Sequence, residues 1–575
     1  MLYGYNGHET ELKMLSRQIK IQHQYLNLPI HREGSVLGEN DMPAGRIMDF
    51  IIGGKIVLEF RTRLADKQPD FWVFSDVSKY QGQTLTIQTE DQDISPDVLE
   101  LITQSDTPAG FEDLYRERFR PQFHFTSRRG WINDPDGPVY YKGVYHLFYQ
   151  HNPYGWTHEN NMHWGHATST DLVHWEEQPT ALSPDELGTI YSGSAVVDWN
   201  NTAGFGNGKD PAIVCMYTSA GKRGFPISQD KPFTQSIAYS NDGCKTFQTY
   251  ENNPVIPHMI DYNRDPKVFW YAPQSKWVML LFTTGIKIGE QSYWEYALFD
   301  SPDLKTWKMT SKVLSEIPAG AWPDMFEMPV EGDPQSRKWV IWTSGGTYIV
   351  GDFDGRTFTP ETKPLEFYRS GSADQVWNDM PDGRIIQISW LRSGHPGDGK
   401  PGHAGMPFNQ QLTFPRELRL RITEQGPRIF CTPIDAIEKL RVKAHEWKDL
   451  ELGTDNNPLA DLEGELFEIR VEMNITDATE VGLNIRGHAV TYDVHEQKLS
   501  CGEQSGPLAL QGGRLSLVVL VDRSSIEAFA NEGEVAVSAG ILPEEDNLSL
   551  EIYSKNGVTH IDTLSVYELR SIWSS

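Results

Sequence analysis

The chain is poor in cysteine, in basic charge and in long apolar runs, and each shortage excludes something. Cys215, Cys244, Cys431 and Cys501 are scattered, with no CxxC pair and no metal-ligand spacing. That argues against a disulfide framework and a zinc site, and most of the four are expected to be buried thiols. Lys and Arg number 51 against 79 acidic residues, a net charge of −28. Neither a nucleic-acid backbone nor an anionic membrane is therefore an expected partner. No apolar stretch approaches the ~20 residues that span a bilayer, so the expectation is an acidic, soluble, globular protein. The opening residues, Met1 to Gln18, lack a basic segment followed by an apolar one. As written the chain carries no secretory signal; the expected location is cytoplasmic, or secreted or periplasmic if a signal has been removed.

What is plentiful points to β structure. With 17 Trp, 23 Tyr, 25 Phe, 49 Gly and 35 Pro in 575 residues, the composition suits short strands joined by tight turns. The length allows several domains. Residues 1–110 contain strand-like runs at Ile47–Phe50, Lys55–Arg61 and Thr84–Ile87 and are expected to form an N-terminal β domain. The alternating stretch Phe71-Trp-Val-Phe74 could be a binding face, but core packing is its expected role. Ser105 to Arg120 has the character of a linker.

From 119 to 430 a degenerate repeat recurs. Asp171-Leu-Val-His-Trp175, Asp242-Gly-Cys-Lys-Thr-Phe247, Asp303-Leu-Lys-Thr-Trp307 and Asp354-Gly-Arg-Thr-Phe358 each begin on an Asp turn and end on an aromatic that starts a strand. Each unit also holds apolar strands, such as Tyr145–Tyr149, Ile213–Tyr217, Trp277–Phe282 and Trp339–Trp342, about the four strands of a propeller blade. A fifth unit without the Asp turn runs through Arg384–Trp390. The expected fold class is all-β, with a five-bladed β-propeller at 119–430. After a short helical segment, Pro433–Arg441, alternating strands at Leu466–Met473 and Leu515–Val521 predict a C-terminal β-sandwich at 442–575.

Two Asp-Pro steps carry the chemistry. Asp134, in Trp131-Ile-Asn-Asp-Pro-Asp-Gly137, could belong to an ordinary Asx-Pro turn, but Arg264-Asp265-Pro266 repeats the step before another strand. Inner strands of a propeller converge on one central depression, so the two carboxylates are expected to meet there. Paired carboxylates among Trp and polar neighbours are the machinery of glycoside hydrolysis.

With these motifs the chain resembles the glycoside hydrolase family 32 β-fructosidases, the invertases, levanases and inulinases, over roughly 119–570. The resemblance also rests on Phe148-Tyr-Gln-His-Asn-Pro153, His163-Trp-Gly-His166, Tyr191-Ser-Gly-Ser194, Phe414-Pro-Arg-Glu-Leu418 and Asp522-Arg-Ser-Ser-Ile-Glu527. It implies Asp134 as nucleophile, a covalent fructosyl-enzyme ester, and Asp265 as transition-state stabiliser with Arg264 as its charge partner. It further implies Asn133, Gln150, Trp164 and Ser192 lining a fructose subsite, with core packing as the alternative for Trp164.

Two departures stand out. The family's acid/base glutamate lies in Trp-Glu-Cys-Pro-Asp, whereas this chain reads Ala321-Trp-Pro-Asp-Met-Phe-Glu-Met-Pro329. Asp324, nearer the strand start, is the expected substitute acid; Glu327, about 10 Å further along and on the opposite face, is the alternative. The acid could also come from elsewhere or be absent, in which case poor leaving groups would react slowly. Asp136, where the family usually has Asn, is expected to raise the nucleophile's pKa if both point inward.

No phosphate-binding glycine loop is present. His163, His166 and His174 are not expected to hold a metal, because i and i+3 on a strand face opposite ways. The expected activity is a retaining hydrolase releasing fructose from levan, inulin, fructo-oligosaccharides or sucrose, with no cofactor and no metal. Its expected partner is a fructose-containing oligo- or polysaccharide. The rivals are a fructosyltransferase or arabinofuranosidase on the same scaffold, and a fructan-binding protein without turnover. The role of the N-terminal domain and the oligomeric state have no signature in the sequence.

Overall fold

The computed structural model describes residues 14–32, 45–90, 96–223, 225–288, 291–315, 320–367, 371–393, 402–403, 405–453 and 456–573. Thus the first thirteen residues of the expected N-terminal domain lie outside the described part. The regular structure is strands and short 3-10 turns, and no described helix is long and apolar enough to cross a membrane.

Residues 14–105 form a four-stranded sheet (Met14–Lys20, Thr84–Glu90, Arg46–Ile52, Lys55–Thr62) and a three-stranded one (Phe71–Asp76, Tyr25–Ile30, Thr103–Ser105). Phe71 and Val73 point into their shared core while Trp72 and Phe74 are only half-buried, which is the packing role expected for that alternating run. The core is completed from outside by Tyr154. Phe60 stacks on its ring at 4.1 Å, and Thr62 Oγ1 donates to its carbonyl at 2.7 Å. Arg61 and Asn161 exchange hydrogen bonds beside it, and Arg63 pairs with Glu159 at 3.2 Å. The N-terminal sheets therefore grip the segment 152–163, which leads into the next region's third strand, His163–Ser169.

Between 124 and 433 the strands form one five-stranded sheet, two four-stranded sheets and one ten-stranded sheet. The ten-stranded sheet contains two antiparallel parts that meet at a single parallel pair, Val330 with Leu420. Phe408–Asn409 pairs in parallel with Gly130–Trp131, tying the end of this region to its beginning.

The repeat seen in the sequence has a mechanical cause. Asp171, Asp242, Asp303 and Asp354 each accept backbone N–H groups two to four residues ahead, an Asx turn that aims the following aromatic into the core.

The innermost strands are Gly130–Tyr141, Thr189–Val197, Arg264–Tyr271, Asp324–Val330 and Ser372–Val376. Side chains stitch them to one another. Gln375 accepts from Gly137 N and donates to Gly193 O at 2.9 Å, while Ser194 Oγ donates to Pro266 O and accepts from Val268 N, both at 2.8 Å. Strands that expose unpaired backbone to one another need such partners.

Beyond the 3-10 turn Asp435–Leu440, a six-stranded and a five-stranded sheet face each other across a core of aliphatic residues, a β-sandwich. It is bolted to the propeller by His124, whose Nδ1 lies 2.9 Å from Asp522 and whose Nε2 lies 2.8 Å from Glu527. Glu527 also accepts from Phe414 N at 2.7 Å. Two of the motifs in the sequence, Phe414–Leu418 and Asp522–Glu527, are thus parts of one interdomain joint. All four cysteines are buried thiols.

Candidate active site

Irregularities in the inner strands build the site. Register shifts fall between Ile132 and Pro135, Tyr191 and Gly193, Arg264 and Lys267, and Ser372 and Gln375. Such bulges re-aim a side chain out of the regular in-and-out alternation, and three of them carry Asn133 and Asp134, Ser192, and Asp265. Pro135 and Pro266 suit these places because a bulge does not require their missing N–H. Asp265 takes a left-handed backbone, φ 61°, and its N–H donates to Thr218 Oγ1 at 3.0 Å.

Asp134 is 2% exposed. Its Oδ2 accepts from Ser192 Oγ at 2.7 Å and from the indole Nε1 of Trp322. Its Oδ1 is buried and accepts no hydrogen bond. Burial pushes its pKa up, opposed by Ser192, the nearby amide of Asn133, Trp322 and the positive charge of Arg392. One carboxylate oxygen is thus held by two donors and the other by none.

Asp265 stands beside it, also buried. Arg264 Nε lies 3.3 Å from its Oδ2, and Trp322 N donates to the same oxygen at 3.1 Å. Burial raises its pKa to about 7; the Arg264 charge lowers it and the Asp134 charge raises it. Asp136 does point inward, accepting from Gln150 Nε2 at 2.8 Å and Gly193 N at 3.3 Å. Burial and then the Asp134 charge hold its pKa far above the usual carboxylate range. Gly193 is obligatory here, since a Cβ would lie 2.0 Å from Met216 O.

The other expected site residues divide. Asn133, Gln150, Ser192 and Arg264 gather around the carboxylates; Asn133 Oδ1 accepts from Trp131 Nε1 at 2.8 Å. Trp164 does not line the pocket. It is 0% exposed, packed against Phe148 and Tyr217, and its indole donates to Tyr191 O at 3.2 Å, so it fixes the backbone next to Ser192.

Neither acid candidate is disposed to deliver a proton. Asp324 is buried, with Oδ1 2.9 Å from Lys267 Nζ and Oδ2 accepting from Val376 N at 2.7 Å. Both of its oxygens are thus committed to the framework, and removing either partner of such a buried pair is costly. Glu327 sits on the far face of its strand, paired at 2.7 Å with half-exposed Arg337. The sequence missed two participants, Trp322 and Lys267. Counting back from Pro323 shows Ala321 and Trp322 standing where the family has Glu and Cys, which was the available signal for Trp322; Lys267 had none.

The histidines separate. His163 Nδ1 lies 3.1 Å from Asn161 O and His174 Nδ1 3.0 Å from Asp171, while His166 joins His146 at 3.0 Å with Cys244 nearby. In this last cluster the imidazoles bond to each other, and burial pushes the Cys244 thiol well up, away from the thiolate a metal prefers. A cavity of about 570 Å³ lies elsewhere, between the N-terminal sheets and the first blade, bordered by Phe74, Tyr80, Arg128 and Glu177.

Comparison with known proteins agrees with this geometry. Residues 124–433 match the model described as "Glycosyl hydrolases family 32 N-terminal domain", and 436–568 match "Glycosyl hydrolases family 32 C terminal". A levanase of Bacillus subtilis is 38% identical over 516 residues, covering 81% of this chain and 73% of that protein. The extracellular exo-inulinase of Aspergillus ficuum is 32% identical over 539 residues, covering 80% and 96%. Among solved structures, the exo-inulinase of Aspergillus awamori superposes with a TM-score of 0.68 at 29% identity, over 80% of this chain and 100% of that one. A fructofuranosidase variant of Schwanniomyces occidentalis complexed with fructosylnystose gives 0.69 at 26% identity, over 79% and 98%. With both domain models matched in order and a relative 38% identical over 81% of the chain, the chain belongs to glycoside hydrolase family 32.

Proposed function

We propose that the protein is a retaining β-fructosidase that releases fructose from a fructose-containing oligo- or polysaccharide. The observation that carries this reading is Asp134, with Oδ2 held by Ser192 and Trp322 and Oδ1 open. Asp134 Oδ1 attacks the anomeric carbon as the glycosidic bond breaks; the leaving oxygen takes the bonding pair and a proton from water, and the resulting hydroxide equivalent hydrolyses the fructosyl ester, releasing fructose and the Asp134 carboxylate. Asp265, ionised, accepts from sugar hydroxyls and stabilises the oxocarbenium-like transition state. Asn133 and Arg264 border the same subsite. The relatives named above as levanase and exo-inulinase support fructans as the substrate class.

Ala321 favours a second reading, a slow or non-turning fructan binder, because that segment presents no acid to the departing oxygen. Retention of Asp134 with both its donors weighs against it, since binding alone needs no nucleophile. Dividing the ten-stranded sheet at Val330–Leu420 gives five blades. We propose that count, domains at 1–110, 119–430 and 442–575, and an N-terminal domain that buttresses 152–163, whose Asn160 accepts from Tyr191 OH at 2.7 Å beside Ser192.

The test is product analysis of the wild type and Asp134→Asn with sucrose, inulin, levan and an aryl arabinofuranoside. Fructose or fructo-oligosaccharides from the wild type alone are expected. Tight binding of a fructan without product would overturn the hydrolase reading, and arabinose as the sole product would move the chain to the furanosidase rival.

A further inference from the structure

We infer that Trp322 is a positioning residue that holds both site carboxylates at once, and that it selects Asp134 Oδ1 as the attacking oxygen. The inference rests on the reading of Asp134 as nucleophile.

One residue supplies two donors to two acids. The indole Nε1 donates to Asp134 Oδ2, and the backbone N donates to Asp265 Oδ2 at 3.1 Å. These carboxylates come from the first and third blades, and Trp322 immediately precedes the inner strand of the fourth. The clamp therefore spans three blades and fixes the distance between groups that would otherwise repel. Its backbone shows the constraint: φ is 55°, a left-handed conformation that bulky L residues rarely adopt and that persists where surrounding contacts impose it. The Arg264 guanidinium, which also pairs with Asp265, lies 5.7 Å from the Trp322 ring and 5.2 Å from that of Phe282, so the cation that holds Asp265 also packs on the indole.

The chemistry follows from the donor count. An N–H aimed at a buried carboxylate favours its ionised form. Ser192 and Trp322 both bind Oδ2, so that oxygen's lone pairs are engaged and the nucleophilic pair is on Oδ1. Position 322 holds a Cys in the family motif, whose weak S–H donor on a short side chain offers no comparable reach. The segment that lost a proton donor for the leaving group has thus gained a donor to the nucleophile.

The test has two parts. The first is the wild-type protein with 15N-labelled tryptophan, its indole resonances followed against pH, and the Trp322 signal identified by its loss in Trp322→Phe. The Trp322 indole proton should lie downfield and move as Asp134 titrates, and Asp134→Asn should abolish the movement. An indole shift that ignores pH, or one that still moves in Asp134→Asn, overturns the inference; this readout needs no turnover, so it stands apart from failure of the fructosidase reading. The second is kinetics of Trp322→Phe, which keeps the ring and the backbone donor, on an aryl β-fructoside whose leaving group needs no acid. A ten- to hundredfold loss in kcat at little-changed KM is expected, with the acid limb that Asp265 gives kcat/KM left in place because the backbone donor at 322 is kept. Unchanged kcat in a variant of normal Tm would reduce Trp322 to packing.

Discussion

Asp324→Asn separates a structural carboxylate from a catalytic one. Asp324 and Lys267 are each 1% exposed, and their charged atoms lie 2.9 Å apart. Asparagine can still accept from Val376 N, so the substitution removes charge and little else, leaving the Lys267 ammonium buried and uncompensated. Breaking such a pair costs about 3–5 kcal/mol, which for a domain of this size lowers Tm by roughly 5–15 °C. Pairing the change with Lys267→Met removes both charges and should recover most of that loss. Below its melting range the single variant should keep kcat within about tenfold of wild type, where loss of a general acid costs roughly 10²–10⁴-fold. The assays are calorimetry and initial rates on a natural fructan and on an aryl fructoside. The reasoning is refuted if Asp324→Asn melts normally, loses at least a hundredfold on the fructan, spares the aryl substrate and is rescued by formate. That combination would make Asp324 the acid after all.

Glu327→Gln should be nearly silent in both stability and rate, because its partner Arg337 is half-exposed and such surface pairs contribute under about 1 kcal/mol. Asp265, with its pKa near 7, should give kcat/KM a limb that rises with pH through neutrality as the carboxylate ionises; Asp265→Asn should be much slower and lack that limb, and a retained limb would assign it to another group. Asp136→Asn keeps an acceptor for its neighbours and removes a charge that burial disfavours, so a folded variant with rates within a few-fold of wild type is expected from steady-state kinetics. His124 has its pKa raised to about 9 by Asp522 and Glu527. Its contribution is therefore complete below about pH 6.5 and lost as pH rises through 9, worth about 3 kcal/mol. Tm should fall across that window, and His124→Gln should lower Tm at neutral pH and flatten the slope.

The sequence by itself determined the all-β character, the Asp-turn repeat and the pair Asp134 and Asp265, because these are local patterns. An Asx turn is written within five residues, strand alternation within six, and an Asp-Pro step within two. The four cysteines, too, were legible as thiols from spacing alone. What only the tertiary structure decided concerns residues whose meaning depends on a neighbour distant in the chain. Asp324 looked like an acid until Lys267, from another blade, was seen to neutralise it. Trp164 could have faced a sugar or a core, and the packing of the first blade against the second closes it off. Whether Asp136 points inward could not be read from the sequence; the structure turns it in, onto Gln150 and Gly193, where burial and the Asp134 charge push its pKa up. Trp322 was marked locally only as a departure from the family motif, which says nothing of its role: its two donors acquire a purpose only where three inner strands converge, and convergence of strands is a property of the closed ring of blades rather than of any segment within it.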